Sequence, residues 1–212
     1  MTLIRKVLDK TQTEISAVYN SCFERTARKR LNNDGFSIIC SNCIGGLIYH
    51  RLGKSFLSPT INLWMSQPDF LKFVLDLRGY LDEELVFIEE KYDYPVALLR
   101  DIKIYFAHYH SESEAQDCWN RRRSRVNYDN LYIIMYDRDG ITQEDIRQLE
   151  NIQCKAKIVL SDKKHEQLDY VLTMKPTDNP HGQQFMDRNW LGMMTFEKQF
   201  DFVKWLNTGS ER

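Results

Sequence analysis

A single turn, Ser41–Gly46, holds the residue types of this chain that are best suited to chemistry. Its sequence, Ser-Asn-Cys-Ile-Gly-Gly, follows the apolar run 36–40 and precedes the helix-like segment 47–52. This order predicts a strand, a tight turn and a helix, with the Cys43 sulfur near the helix N-terminus. Backbone N–H groups and the helix dipole favour anions there, so they favour a thiolate, a phosphate or an oxyanion. The turn therefore offers either a nucleophile or an anion-binding site.

Two further predicted loops contain reactive side chains. His108 and His110 follow the extended segment 96–107, and Asp137 follows the next predicted strand. Because the two histidines are two residues apart, they point the same way on an extended segment. Cys43 and one of these histidines can act as a nucleophile and its base, and Asp137 can orient the histidine or bind a sugar hydroxyl.

The same residues permit other assignments. Cys40 and Cys43 form a Cys-x-x-Cys pair, and His108 with His110 would complete a set of four zinc ligands. The pair also resembles a redox half-site. We expect neither a metal site nor a redox pair, because Cys40 ends an apolar strand and the two glycines suit close approach of a ligand to the backbone. A structural thiol beside hydrogen-bonded histidines is the third interpretation.

Four arginines lie within the five residues 121–125, after a helix start at Ser111. Ser111 as N-cap and Glu114 three residues later form a capping box. Arg121 and Arg125 share one helical face, where they can bind a phosphate or a carboxylate at the mouth of a pocket. A solvated helical surface is the alternative, since charged runs usually face water.

The elements that must position these groups alternate along the chain. Helices are predicted at 11–33, 47–52, 68–80, 111–126, 142–149 and 196–206, and strands at 36–40, 96–107, 130–136, 155–161 and 170–174. The alternation between residues 36 and 161 predicts a three-layer α/β fold, a mainly parallel sheet with helices on both faces. Ligands bind beyond the carboxyl ends of parallel strands. We therefore expect the loops 41–46, 108–113 and 137–140 to meet at one edge.

Length and composition suit one α/β domain spanning residues 1–212, of which 42% are hydrophobic and 28% charged. Residues 31–161 form its core and carry the motifs above. Residues 162–212 complete the fold with a C-terminal strand and helix. This last region also contains His181, a more remote candidate for the site.

Charge and hydropathy exclude several classes of protein. A formal net charge of -1 and an isoelectric point of about 6.5 give no basic excess for binding nucleic acid. No apolar run approaches the roughly 20 residues of a membrane span, and the first ten residues lack the apolar core of a signal peptide. The 5 cysteines lack the spacing of a disulfide framework, so we expect reduced thiols. These features predict a cytoplasmic protein and leave its oligomeric state open. The candidate residues in the loops, rather than the composition, point to a small-molecule or carbohydrate substrate.

Several motifs occur together in one order, and this order is typical of a known family. The motifs are Ser41–Gly46 with Tyr49, Leu57–Thr60, Tyr94–Val96, His108–Tyr109, Ser113–Ala115, Trp119, Arg121–Arg122, Arg125, Asn127, Asp129–Leu131 and Asp137–Gly140. Between residues 31 and 161 the chain thereby resembles a bacterial family with a domain of unknown function, whose members are often described as exopolysaccharide biosynthesis proteins. More distantly, it is similar to polysaccharide enzymes thought to handle acyl-coenzyme A.

The resemblance implies a role near surface polysaccharide assembly. Together with the residues, it leads to the hypothesis of a bacterial transferase in exopolysaccharide biosynthesis that moves an acyl group to a sugar hydroxyl. Cys43 would be the nucleophile or lie beside the reacting carbonyl, His108 would be the base, and Asp137 would orient it. Backbone N–H groups of residues 44–46 would form the oxyanion site. The expected binding residues for substrate and donor are Ser41, Asn42, Gly45, Gly46, His110, Arg121 and Arg125.

The donor would be a coenzyme A thioester or a nucleotide sugar, and two alternative functions stay open. A nucleotide-sugar-dependent glycosyltransferase-like enzyme would use the glycine turn to hold a diphosphate, with Cys43 only packing. A non-catalytic carbohydrate-binding protein would bind glycans through exposed aromatic side chains. One scaffold can support all three functions.

Overall fold

A computed structural model describes residues 3–165, 167–175 and 185–210 of the chain. Its helices and strands, in chain order, are α1 (Leu3–Arg30), β1 (Ser37–Cys40), α2 (Ile44–Leu52), α3 (Gln67–Leu75), α4 (Leu77–Asp82), β2 (Val86–Ile88), β3 (Val96–Leu99), β4 (Ile102–Tyr105), α5 (Glu112–Arg123), β5 (Leu131–Tyr136), α6 (Gln143–Arg147), β6 (Ala156–Ser161), β7 (Val171–Thr173), α7 (Thr195–Gln199) and α8 (Phe202–Thr208). Most predicted elements are therefore present near their predicted positions.

A parallel sheet with the strand order β1-β5-β6-β7 forms the centre of the described structure. Cys40 pairs with Ile134, and Tyr136 pairs with Leu160, so the carboxyl ends of β1, β5 and β6 lie at one edge. Strands β1 and β5 are buried along their whole length, as expected for apolar strands covered on both faces. The mixed α/β architecture and the parallel sheet are confirmed, and the three-layer arrangement stays a prediction.

Side chains alternate along these strands between two apolar clusters. Ile39 and Ile133 pack with buried residues of α3 and α5. Ile38 and Ile134 pack with buried residues of α2, α7 and α8. This alternation decides which face of the sheet each strand residue occupies.

A second sheet, antiparallel and ordered β2-β3-β4, corrects the prediction of one extended segment over 96–107. That segment is a hairpin, and its two-residue turn consists of Arg100 and Asp101. Arg100 has a left-handed backbone, with φ at 56°, although hairpin turns of this kind usually contain glycine or asparagine. The turn therefore gave no recognisable signal in the sequence. The loop with His108 consequently leaves an antiparallel sheet instead of the parallel one.

Two predicted helices are divided. The segment 68–80 contains α3 and α4, and Asp76 ends the first and caps the second with a hydrogen bond to Gly79 N. The segment 196–206 contains α7 and α8, and Asp201 caps α8 through Lys204 N. Aspartate is a favoured N-cap residue, so each break has a local cause.

Over the described part of the chain, no helix is both long enough and apolar enough to cross a bilayer. All five cysteines are free thiols. His181 lies outside the described residues.

Candidate functional site

Two side chains from distant parts of the chain meet at the carboxyl edge of the parallel sheet. The Cys43 Sγ lies 3.5 Å from Nε2 of His108. Cys43 is half-buried at the N-terminus of α2, and His108 is exposed in the turn after β4. This is the nucleophile–base geometry proposed for Cys43 and His108, while His110 is exposed elsewhere in the loop.

The pair borders a pocket of about 330 Å³, which residues of all three predicted loops line. The lining residues are Asn42, Cys43, Trp64, Ala107, His108, Arg138 and Asp139. The loops thus lie around one pocket, although one of them reaches it from the antiparallel sheet. Volumes of this size are at the lower end of the range for small-molecule sites, which is roughly 300–1,000 Å³.

The irregular segment 61–65 carries the His108 turn to the Cys43 turn. Trp64 exchanges two backbone hydrogen bonds with Tyr105, at 2.9 and 3.0 Å, and Asn62 O accepts a hydrogen bond from His108 N. At the other end of the segment, Met65 N donates to Ser41 O. One backbone hydrogen bond therefore joins this segment to His108, and another joins it to Ser41 at the start of the turn that carries Cys43.

A buried arginine fixes the other side of this segment. The Arg122 guanidinium donates a hydrogen bond to the Tyr109 hydroxyl, which itself donates to Ile61 O at 2.8 Å. Arg122 is only 9% exposed. Of the four arginines in 121–125, it is the buried one, and it supports the backbone that carries the His108 turn.

Asn42 shapes the turn that holds Cys43. Its Oδ1 accepts hydrogen bonds from Ile44 N at 3.0 Å and from Cys40 Sγ at 3.3 Å. The predicted oxyanion site used the N–H groups of residues 44–46, and that of Ile44 is already hydrogen-bonded to Asn42. Fewer N–H groups are therefore left to bind an oxyanion than the prediction assumed. Ser41 is fully buried beside it, and its hydroxyl oxygen has no hydrogen-bond partner among the described residues.

Gly45 and Gly46 lie in the first turn of α2, where the prediction placed them in the loop. Both are buried, and neither lines the pocket. A methyl group at Gly45 would lie 3.0 Å from Cys40 Cβ and 3.4 Å from Ile38 Cγ2. Gly45 therefore allows α2 to pack against β1, which accounts for this glycine without a ligand.

The ionisation of the thiols differs from the prediction of a stabilised thiolate at Cys43. Burial raises the pKa of Cys43, so the expected direction was wrong. Burial also raises the pKa of Cys40, to about 12. Cys43 needs a base to lose its proton at neutral pH, and His108 is the group within reach. Among the described residues, no cluster of three or more histidines, cysteines or carboxylates is arranged to hold a metal ion.

Asp137 makes no hydrogen bond with His108 in the described structure. Its partners come from the end of β6 and the segment that follows it. Its Oδ2 accepts hydrogen bonds from Ser161 Oγ at 2.6 Å and from His165 Nε2 at 2.7 Å. Burial opposes ionisation of this carboxyl, but the hydrogen bonds from Ser161 and His165 hold its pKa below the usual value. Asp137 therefore orients a histidine, as predicted for its type, but a different one.

His165 was missed by sequence reasoning. Its side chain is 10% exposed, and its Nδ1 is buried with no hydrogen-bond partner among the described residues. It follows the predicted strand 155–161, so the rule that selected the other loops at the carboxyl edge would also have selected this one. Its charged neighbours Asp162, Lys163 and Lys164 are typical of a solvated loop.

Arg121 and Arg125 are exposed and do not line the pocket. Arg121 is ten residues from Ser111, which places it about 15 Å along the helix axis from the end of α5 near His108. Its Nη2 contacts Cys118 Sγ at 3.2 Å. The capping interaction at Ser111 is present, but Glu114 accepts from His110 N instead of Ser111 N.

Comparisons with known proteins give the family context of this site. A family model described as "Domain of unknown function (DUF1919)" matches residues 14–207. A Haemophilus influenzae protein named "Uncharacterized protein" is 38% identical over 185 residues, or 86% of this chain and 89% of that relative. Neither description names a reaction.

Proposed function

Since the chain belongs to the DUF1919 family, whose description names no activity, we propose from its site that it is a cysteine-dependent acyltransferase. The observation that supports this proposal is the 3.5 Å contact between Cys43 Sγ and His108 Nε2 at the edge of a pocket. A thiol that burial makes harder to ionise, placed beside an imidazole, is the arrangement in which a base activates a nucleophile.

The proposed reaction has two half-reactions. In the first, His108 Nε2 takes the proton of Cys43, and the sulfur attacks the carbonyl carbon of a thioester donor. The bond between that carbon and the donor sulfur breaks, and the leaving thiolate receives the proton from His108. In the second, His108 takes the proton of an acceptor hydroxyl, whose oxygen attacks the acyl-Cys43 thioester and displaces the Cys43 sulfur, which His108 reprotonates.

A coenzyme A thioester is the donor in this proposal, and a sugar hydroxyl is the acceptor. A pocket of about 330 Å³ suits the acyl end of a donor together with one sugar hydroxyl, better than a whole coenzyme. Trp64 lines this pocket and is stacked on Tyr105, with ring centroids 3.8 Å apart and planes at 4°. A rigid aromatic face of this kind suits the apolar face of a sugar ring. The assignment to polysaccharide biosynthesis comes from the family resemblance.

The test is capture of the acyl-enzyme. The protein is incubated with acetyl-coenzyme A, quenched in acid and analysed by peptide mass mapping. We expect one acetyl group on Cys43, no acetylation in Cys43→Ser, and full acetylation of Cys43 in Cys154→Ser. Cys154 is the matched control, because it is also half-buried with a pKa raised by burial. Equal acetylation of Cys43 and Cys154 in the unmodified chain would refute the proposal.

Carbohydrate binding without catalysis is a second candidate, which one observation favours. Tyr92 is 45% exposed and stacks on Tyr94, and its ring also meets the edge of Tyr105 beside Trp64. This aromatic surface suits a glycan whether or not Cys43 reacts. Glycan binding that survives Cys43→Ala, with no acyl-enzyme formed, would favour this candidate. The nucleotide-sugar alternative lost its main support, because Gly45 and Gly46 are buried in α2.

A further inference from the structure

The cation of the Cys43 pocket is Arg138, a residue that sequence reasoning passed over. Arg138 lines the pocket with Cys43 and His108, and 29% of its side chain is exposed. Its guanidinium carbon lies 5.6 Å from the ring centroid of Tyr136, a fully buried residue at the end of β5. One face of the guanidinium is thus held against the protein, which limits the directions in which its N–H groups can point.

Arg138 has donor capacity that the protein does not use. Its Nε is buried, and none of the described residues accepts a hydrogen bond from it. The nearest carboxylate oxygen is Asp139 Oδ2, at 3.5 Å, which is too long for a good hydrogen bond. Arginine carries five N–H donors, and Arg138 donates none of them in a hydrogen bond to the described residues, so an anion in the pocket would find unused donors.

The neighbouring carboxylate of Asp139 is shared between Arg138 and a second donor. Asp139 Oδ2 accepts a hydrogen bond from Gln67 N at 3.2 Å, in the first turn of α3. The N-terminus of a helix attracts a carboxylate. Asp139 Oδ2 thus divides its charge between Gln67 N and Arg138 Nε, and its ion pair with Arg138 is long, at 3.5 Å.

Arg138 lies close to the end of β1, where the Cys43 turn begins. Burial is the main influence on the pKa of Cys40, but the positive charge of Arg138 acts in the opposite direction and lowers it. An anion held by Arg138 would therefore lie close to the turn that contains the reactive thiol.

We propose that Arg138 binds an oxyanion, a carboxylate or a phosphate, on the molecule that reacts at Cys43. This inference rests on the proposed function in so far as that molecule is the acyl donor. It replaces the predicted role of Arg121 and Arg125, which lie away from the pocket. Arginine suits the task because its planar fork donates two parallel hydrogen bonds to one carboxylate or phosphate.

The test compares two alkylating reagents that differ in charge. Iodoacetate carries a carboxylate, and iodoacetamide is its neutral analogue, so the ratio of their rates at one cysteine reports an anion site beside it. The ratio is measured at Cys43 by peptide mapping, with the exposed Cys22 as the internal reference. The variants are Arg138→Gln and Arg138→Lys, with Arg121→Gln as the matched control.

We expect the ratio at Cys43 to exceed that at Cys22 by about tenfold in the unmodified chain. Arg138→Gln should reduce it to the value at Cys22, Arg138→Lys should retain part of it, and Arg121→Gln should leave it unchanged. Inorganic pyrophosphate and succinate, added separately, should slow iodoacetamide at Cys43 unless Arg138 is replaced. The more protective of the two indicates whether the natural group is a phosphate or a carboxylate. Equal ratios in the unmodified chain and in Arg138→Gln would overturn the inference.

If Cys43 reacts with neither reagent, the thermal midpoint of unfolding provides a second measurement. In that case, pyrophosphate or succinate should still raise the thermal midpoint of the unmodified chain but not that of Arg138→Gln, and identical responses would overturn the inference. The two proposals can fail separately. An iodoacetate preference without an acyl-enzyme refutes acyl transfer alone, and an acyl-enzyme together with the same iodoacetate preference in Arg138→Gln as in the unmodified chain refutes the oxyanion site alone.

Discussion

The Cys43 sulfur lies 3.5 Å from Nε2 of His108, although 65 positions of chain separate the two residues. The segment 61–65 is hydrogen-bonded to both of their turns, since Asn62 O accepts from His108 N and Met65 N donates to Ser41 O, two residues before Cys43. Because one short segment is bonded to both turns, it can hold the nucleophile and its base at a fixed distance. The following predictions depend on that contact and on the packing around it.

Removal of the base should impair transfer without unfolding the protein. His108→Ala should lower the rate of acyl transfer on the order of a hundredfold, since a positioned general base contributes about that much. The exposed side chain makes a large loss of stability unexpected. His110→Ala is the matched control, because His110 is also exposed but does not line the pocket. Equal losses in the two variants, measured as single-turnover rates, would contradict the role of His108.

The two glycines of α2 should respond differently to alanine. A methyl group at Gly45 would meet Cys40 Cβ at 3.0 Å, whereas at Gly46 it would meet Ile61 Cγ2 at an ordinary 3.6 Å. Gly46→Ala should be neutral or stabilising by up to about 1 kcal/mol, because alanine favours a helix. Gly45→Ala should be less stable than Gly46→Ala by roughly 1–3 kcal/mol, the usual cost of overpacking. Urea unfolding measures both, and equal free energies of unfolding would refute the packing role of Gly45.

The pair of Asp137 and His165 should make stability depend on pH. Despite burial, hydrogen bonds from Ser161 and His165 lower the pKa of Asp137 in the folded state. A lowered folded-state pKa contributes stability above the unfolded value, roughly 3.9, and this contribution is lost as the pH falls through the folded-state value. Asp137→Asn should therefore be less stable than the unmodified chain at pH 7, and the difference should shrink in acid.

The control for this prediction is Asp117→Asn, since Asp117 is exposed on α5. Its free energy of unfolding should follow that of the unmodified chain at all pH values. A difference between Asp137→Asn and the unmodified chain that stays constant down to acid pH would show that the carboxylate charge does not stabilise the fold.

The sequence predicted the parallel core because its strands are strongly patterned. The apolar runs that became β1, β5 and β6 are each bounded by polar turns, so their type and order could be predicted. The hairpin at Arg100 and Asp101 could not, because its turn contains no glycine or asparagine. The two breaks, at Asp76 and Asp201, depend on caps within otherwise continuous helical patterns.

The candidate site was predictable in part. Cys43 and His108 could be chosen by residue type and position, but their contact depends on segment 61–65, which has no regular pattern. Arg138 lies in a loop predicted at the carboxyl edge, but the denser arginine run at 121–125 was the one assigned the anion-binding role. Density of charge in a sequence does not show which charge faces a pocket, because even the adjacent residues Arg121 and Arg122 differ, one exposed and one buried.

The most direct test of the central claim is the pH dependence of Cys43 alkylation by iodoacetamide, read by peptide mapping in the unmodified chain and in His108→Ala. If His108 is the base, the unmodified chain should react roughly tenfold faster at neutral pH, and the two rates should converge at alkaline pH, where the thiol ionises without help. His110→Ala should follow the unmodified chain. Superimposable profiles for the unmodified chain and His108→Ala would contradict the account, because Cys43 would then ionise independently of the imidazole beside it.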